Sequence, residues 1–271
     1  MPSDPRDLYL QLLKRTLSFT LWPEPPIPIT RVAFQRSWLK ARLVRGLTAL
    51  AASRGWQIVE PSPYTEEQRA EGKLWPQYAD TMIGMKRLDN LHWCVEDVLR
   101  RGVPGDLIET GVWRGGASIL MRAILKAYGV TDRRVFVADS FQGFPPEDGI
   151  PEYINSACTA SRQVVEANFR KYGLLDDQVV FLEGWFKDTL PAAPIERIAV
   201  MRLDGDLYAS TMDGLRALYP KLSVGGYCII DDYDITDGAR QAVDEFRETH
   251  RIAAPLLEVD FTGRYWQKAQ D

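Results

Sequence analysis

Histidine is scarce in this chain of 271 residues. Only His92 and His250 are present, both within segments of helical periodicity, which disfavours a zinc centre. Cysteine is nearly as rare. Cys94, Cys158 and Cys228 lie far apart with no C-x-x-C pair, and they read as reduced, mostly buried thiols of an intracellular protein. No apolar run approaches the roughly 20 residues that span a bilayer. There is no excess of basic residues either: the net charge of -4 argues against nucleic-acid or anionic-membrane partners. The opening Met1-Pro2-Ser3-Asp4-Pro5 lacks a basic stretch followed by an apolar one, so a cytoplasmic protein is expected. Internal repeats and low-complexity tracts are also missing. What remains is 45% hydrophobic and 26% charged, the composition of a soluble globular domain, alone or with an appendage.

Residues 1–75 stand apart. Residues 8–19 carry Leu8, Leu12, Leu13 and Phe19 at helical spacing, and residues 38–52 place Leu39, Leu43, Leu47 and Leu50 along one side of a second helix. Between them, Trp22-Pro23-Glu24-Pro25-Pro26-Ile27-Pro28 fits neither helix nor central strand. An N-terminal appendage of helices and proline-rich loops is expected over 1–75, packed on a main domain over 76–271.

In that main domain helical and strand patterns alternate. Helices are predicted over 87–101, 117–128, 161–172, 211–222 and 238–251, with the Gly225-Gly226 turn capping the fourth. Short apolar strands are predicted over 106–109, 135–138, 179–182, 198–203 and 227–230, and 256–260 with 264–267 form a closing hairpin. Continuous apolar strands alternating with helices give an α/β fold: a mostly parallel, seven-stranded sheet covered by helices on both faces. Ligands of such sheets bind outside the carboxyl ends of the strands. Glu109, Asp139, Asp204, Asp231 and Asp232 all fall at such ends.

The turn Glu109-Thr110-Gly111-Val112-Trp113-Arg114-Gly115-Gly116 joins the first core strand to its helix. Its second glycine is displaced from the dinucleotide pattern G-x-G-x-x-G. It nearly fits a phosphate-binding loop, but Ala117 stands where the lysine belongs, which removes nucleoside-triphosphate binding. S-adenosylmethionine has no phosphate and carries a positive sulfonium and ammonium, which suit an acidic strand end such as Glu109. Asp139 is placed to accept hydrogen bonds from ribose hydroxyls. A purely structural turn with a helix-capping acid is the plainer alternative.

Arg202-Leu203-Asp204-Gly205-Asp206 and Ile230-Asp231-Asp232-Tyr233 close two successive strands. If those strands are neighbours, Asp204, Asp231 and Asp232 converge, and their mutual repulsion calls for a divalent cation. An all-oxygen ligand set selects Mg²⁺ or a similar hard ion. Such a cation lowers the pKa of an acceptor hydroxyl, and Asp204 is the best-placed general base. Asp206 lies past the strand end and reads as a turn residue. The plainer readings are a helix N-cap for Asp231-Asp232 and a solvated turn for Asp204-Gly205-Asp206.

Five segments together closely resemble the macrocin O-methyltransferase family. They are Leu107-Ile108-Glu109-Thr110-Gly111-Val112-Trp113-Arg114-Gly115-Gly116, Ala138-Asp139-Ser140-Phe141-Gln142-Gly143-Phe144-Pro145, Gly184-Trp185-Phe186-Lys187-Asp188-Thr189-Leu190, Arg202-Leu203-Asp204-Gly205-Asp206-Leu207-Tyr208 and Asp231-Asp232-Tyr233. The resemblance extends over residues 76–268. It implies a Rossmann-like class I methyltransferase fold, S-adenosylmethionine as cofactor, Mg²⁺ dependence, and a deoxysugar hydroxyl on a macrolide or aminocoumarin antibiotic as acceptor. It further implies Asp204, Asp231 and Asp232 as metal ligands, with Asp204 the base. Thr81 and Met82 would contact the cofactor, with Glu109, Gly111 and Ser118 holding its methionine part. Asp139 and Ser140 would hold the ribose, and Gly184 and Trp185 would lie near the adenine. A dimer or larger homo-oligomer is also implied.

The first 75 residues carry no matching motif. Trp22, Phe34, Trp38, Trp56, Tyr64 and Trp75 suit the wall of a pocket for an apolar aglycone, although aromatics packing the appendage onto the domain explain them equally well. Rival functions are a nucleotide-sugar or NAD-dependent enzyme, a metal-independent or phenol-directed methyltransferase of the same fold, and a non-catalytic S-adenosylmethionine-binding scaffold.

Overall fold

In the computed structural model, residues 4–23, 25–29, 38–61 and 64–269 are described. Helix α1 (Pro5–Leu17) starts on Asp4, whose carboxylate accepts the Arg6 backbone N–H, with Pro5 at a position where no amide is needed. It packs through Leu10, Leu13 and Leu17. Of the predicted stripe Leu13 is buried, but Leu8 and Leu12 face solvent, because periodicity marks an apolar face without naming its partner. Strand β1 (Ile27–Pro28) pairs antiparallel with β2 (Val59–Glu60), and helix α2 (Trp38–Ala52) connects them. Among the described side chains of α2 Val44 is buried, whereas Leu43, Leu47 and Leu50 are exposed. Phe34 and the side chains of Trp38 and Leu39 lie outside the described residues. Helix α3 (Glu66–Glu71) opens with a capping box between Thr65 and Gln68.

Beyond it come α4 (Met85–Arg100), β3 (Asp106–Thr110), α5 (Gly116–Ala127), β4 (Val135–Asp139), α6 (Glu152–Cys158) and α7 (Arg162–Lys171). They are followed by β5 (Val179–Glu183), α8 (Phe186–Thr189), β6 (Ile198–Leu203), α9 (Tyr208–Leu218), β7 (Leu222–Ile230), α10 (Asp237–Thr249), β8 (Leu257–Glu258) and β9 (Arg264–Gln267). Seven strands form one sheet in the order β5-β4-β3-β6-β7-β9-β8. The first five in that order are parallel, and β9 and β8 close the edge antiparallel. The expected mostly parallel α/β sheet is therefore present.

The boundaries around β7 differ most from the sequence reading. The helix predicted over 211–222 ends at Leu218, because Pro220 cannot donate to a continuing helix. Gly225 and Gly226, expected to cap it, lie inside β7, where the pairing with β6 shifts register.

Alternate residues of each strand enter opposite apolar layers. Leu107, Val200, Tyr227 and Ile229 pack with α1, α4, α5 and α7. Ile108, Met201, Cys228 and Ile230 pack with α9 and α10. Helix α1 thus shares the core of the main sheet. Among the described residues no helix is long and apolar enough to cross a membrane.

Candidate active site

A cavity of about 660 Å³ opens over the carboxyl ends of β3, β4, β6 and β7. Thr81, Met82, Glu109, Gly111, Asp139, Ser140, Gly184, Trp185, Asp204, Asp231 and Asp232 all line it. Ser118 does not. It is fully buried on the α5 face turned to the sheet, and its hydroxyl donates to Glu109 from behind. Tyr64 and Trp75 reach the cavity, whereas Trp22 and Trp56 are not among its lining residues.

The turn after β3 is held by Asp139. One of its oxygens accepts the Val112 N–H at 2.8 Å and the other the Phe141 N–H at 2.7 Å. Burial raises the Asp139 pKa, and these backbone donors oppose the rise. A carboxylate has about four lone-pair sites, so acceptor capacity remains towards the cavity. Ser140 instead spends its hydroxyl on its own turn, accepting from Gln142 and donating to the Gly143 carbonyl. Trp113, at a left-handed φ of 47°, donates its indole N–H to the Ala157 carbonyl and so ties α6 to the turn. The chain leading into Thr81 and Met82 is anchored at residues 77–80. Arg114 donates to the carbonyls of Gln77 and Ala79, and the Tyr172 hydroxyl donates to Asp80 at 2.6 Å.

Strands β6 and β7 are neighbours, and the Asp231 N–H donates to the Leu203 carbonyl. Their ends bring Asp204 and Asp232 together with Asp206, one carboxylate oxygen from each lying within 4.8 Å of the others. Asp206 turns back into the cluster through a left-handed φ of 57°, and its N–H donates to Asp232 at 3.1 Å. Asp231 is engaged otherwise: one oxygen meets Arg202 and the other meets Arg87.

The electrostatics follow this division. Burial would raise the Asp231 pKa, but Arg202 and Arg87 outweigh it and hold the carboxyl below its ordinary value. Burial and then Asp231 raise Asp204, and burial with the neighbouring carboxylates pushes Asp206 up to about 7. Asp232 is raised furthest, by burial and by Asp204, Asp206 and Asp231. Glu109 is pushed up to about 7 by burial, against Arg202 and Ser118. Burial and the nearby Asp206, Asp204 and Asp232 push the cavity-lining Cys158 thiol up to about 12.

Sequence reasoning assigned no role to several residues placed here. Arg87 donates through Nε to Asp260 at 2.9 Å as well as meeting Asp231, and Phe261 joins the cavity wall beside it. Arg202 was visible as a lone charge in the apolar run Ile198-Ala199-Val200-Met201-Arg202-Leu203. Two of its three carboxylate partners, Glu109 and Asp231, depend on cross-strand register, which the sequence does not display.

The model of the macrocin-O-methyltransferase (TylF) family matches residues 6–268, extending across most of the segment in which no motif was legible. The demethyldecarbamoylnovobiocin O-methyltransferase of Streptomyces niveus is 56% identical over 218 residues, covering 77% of this chain and 83% of the relative. The mycinamicin III 3''-O-methyltransferase of Micromonospora griseorubida is 48% identical, covering 99% of each chain. Among solved structures, that of the O-methyltransferase NovP superposes with a TM-score of 0.81 at 47% identity, covering 98% of this chain and all of the other.

Proposed function

The chain belongs to the macrocin O-methyltransferase family of S-adenosylmethionine-dependent O-methyltransferases, and from that premise we propose that it methylates a deoxysugar hydroxyl on a glycosylated natural product of macrolide or aminocoumarin type. One observation carries this reading: the Glu109 strand end and the aspartate cluster open into the same cavity. The activities for which the relatives are named, on demethyldecarbamoylnovobiocin and on mycinamicin III, support the acceptor class. Residues 1–75 are assigned to a lid and part of the acceptor pocket, on the strength of Tyr64 and Trp75 at the cavity wall. Three unpaired thiols suit the reducing cytoplasm.

The donor set fits a divalent cation. Three carboxylates converge in a buried site where they oppose one another's ionisation, and all the donor atoms are oxygen. A hard cation held there lowers the pKa of an acceptor hydroxyl. Asp204 and Asp232 are ligands in either of two triads, the third member being Asp206 by convergence or Asp231 by family resemblance. The cofactor supplies an electrophilic methyl group. Glu109 and Gly111 receive its methionine part, Asp139 its ribose, and Trp185 stands beside its base. Asp204 would take the proton of the acceptor hydroxyl as that oxygen receives the methyl group the cofactor would supply. The walls hold the reactants in line and keep water out.

Incubation with S-adenosylmethionine and a demethylated glycoside is expected to add one methyl group to the sugar, read by mass spectrometry. Chelation with EDTA should stop transfer and Mg²⁺ restore it. Full turnover in chelator would remove the metal from the reading, and methylation of the aglycone alone would favour a phenolic acceptor. Titration of Mg²⁺ into Asp206→Asn and Asp231→Asn separates the two triads, because the ligand's loss weakens binding by about tenfold or more.

A further inference from the structure

Along the cavity floor runs a row of alternating charge whose two arginines, Arg202 and Arg87, have no part in the reaction above. The Ser118 hydroxyl donates to one oxygen of Glu109. Arg202 Nη1 lies 2.5 Å from the other oxygen and 2.9 Å from Asp204 Oδ2. Its Nη2 meets Asp231 in a charge–charge contact, and Arg87 takes the second oxygen of Asp231. Glu109 and Arg202 are register partners on β3 and β6, and Asp231 follows the end of β7, so the row crosses three adjacent strands. Two residues earlier on the same face stand Leu107, Val200 and Ile229. An apolar row would therefore satisfy packing at this level. The Arg202 side chain is 2% exposed, so its charge is balanced by these carboxylates rather than by bulk solvent. Its guanidinium is a rigid planar fork, and a swing that shortens one contact lengthens another.

We propose that Arg202 is a positioning residue that couples the cofactor half of the cavity to the acceptor half, dividing one positive charge between Glu109 and the aspartates. This rests on the reading of Glu109 as the carboxylate that receives the cofactor ammonium. Arg202 and that ammonium compete for Glu109. Asp231 draws Arg202 away from Glu109 and so favours the cofactor, although it lies two strands distant. Loss of the Asp231 charge lets Arg202 settle on Glu109 and weakens cofactor binding.

The test is calorimetric titration of S-adenosylhomocysteine in chelator, so that neither turnover nor metal enters the reading. Glu109→Gln is expected to weaken binding, and an unchanged affinity there overturns both the role of Glu109 and the coupling built on it. Asp231→Asn is expected to weaken binding by about fivefold or more in the wild-type background. In an Arg202→Lys background the same substitution should act within about twofold, because one ammonium cannot bridge Glu109 and Asp231 together. Arg202→Gln is the alternative background if the lysine variant does not fold. A merely structural Arg202 would lower thermal stability yet leave the Asp231→Asn effect equal in both backgrounds. Equal effects, or none in wild type while Glu109→Gln does weaken binding, overturn the coupling alone.

Discussion

Asp204→Asn is expected to retain S-adenosylhomocysteine binding while losing turnover by about 10²- to 10⁴-fold, the range over which a positioned general base contributes. Asparagine keeps the shape of the side chain and can still accept the hydrogen bond from Arg202. It cannot take up the hydroxyl proton, and it removes one charge from the cation site. Stability should not fall. Burial and the Asp231 carboxylate both oppose ionisation of Asp204, so the neutral amide relieves repulsion even as it weakens the pairing with Arg202. Single-turnover methyl transfer, calorimetry with S-adenosylhomocysteine and a thermal melt separate these effects. Turnover within tenfold of wild type, at saturating substrates and Mg²⁺, refutes Asp204 as the base.

The second large effect is expected at Gly111→Ala. Gly111 sits at a φ of 77°, and a Cβ built there would run into the backbone carbonyl oxygen of Asp204. No side-chain rotation relieves a clash against main chain, so the turn after β3 and the end of β6 must separate. The left-handed conformation costs alanine about 1–2 kcal/mol, and overpacking adds typically about 1–3 kcal/mol. A combined loss on the order of 3 kcal/mol lowers the melting temperature by roughly 10 °C in a domain of this size. Cofactor binding and Asp204 geometry should fail together, because the displaced atom belongs to the residue proposed as the base. Gly129 provides the control: its φ is 66°, but nothing lies within 4 Å of a Cβ placed there. Gly129→Ala should show the conformational cost alone, with activity unchanged. Equal melting temperatures for the two variants would mean that the Asp204 contact imposes no constraint.

The strand ends were readable in advance because strands buried on both faces are continuous apolar runs, and a carboxylate stops such a run abruptly. Glu109, Asp139, Asp204 and Asp231 were found in this way, and the structure gathers them around one cavity. Asp206 illustrates the complementary failure. Its position one residue beyond a glycine reads as an outward turn, and only the left-handed backbone carries it back towards Asp232. Aspartate adopts that conformation too seldom for a sequence to announce it. Ser118 failed for a different reason. A residue in the first turn of a helix that follows a glycine loop commonly faces the ligand, but here the helix presents Ser118 to the strand and supports Glu109 instead. In α1 the element was legible and its buried face only at Leu13, since Leu10 and Leu17 beside it were chosen by the surfaces of α4 and α5.

The state of the three thiols has a bench-top corollary. Nucleophilic attack on a disulfide needs the thiolate, and Cys94, Cys158 and Cys228 are all held well above the ordinary range by burial. The folded enzyme should therefore be silent towards aromatic disulfide reagents at neutral pH. S-adenosylhomocysteine hydrolysed enzymatically to homocysteine could then be followed by colour in real time, with a flat baseline from the catalyst itself. A burst of reagent consumption before substrate is added would report unfolding, so one cuvette reads both turnover and the integrity of the fold.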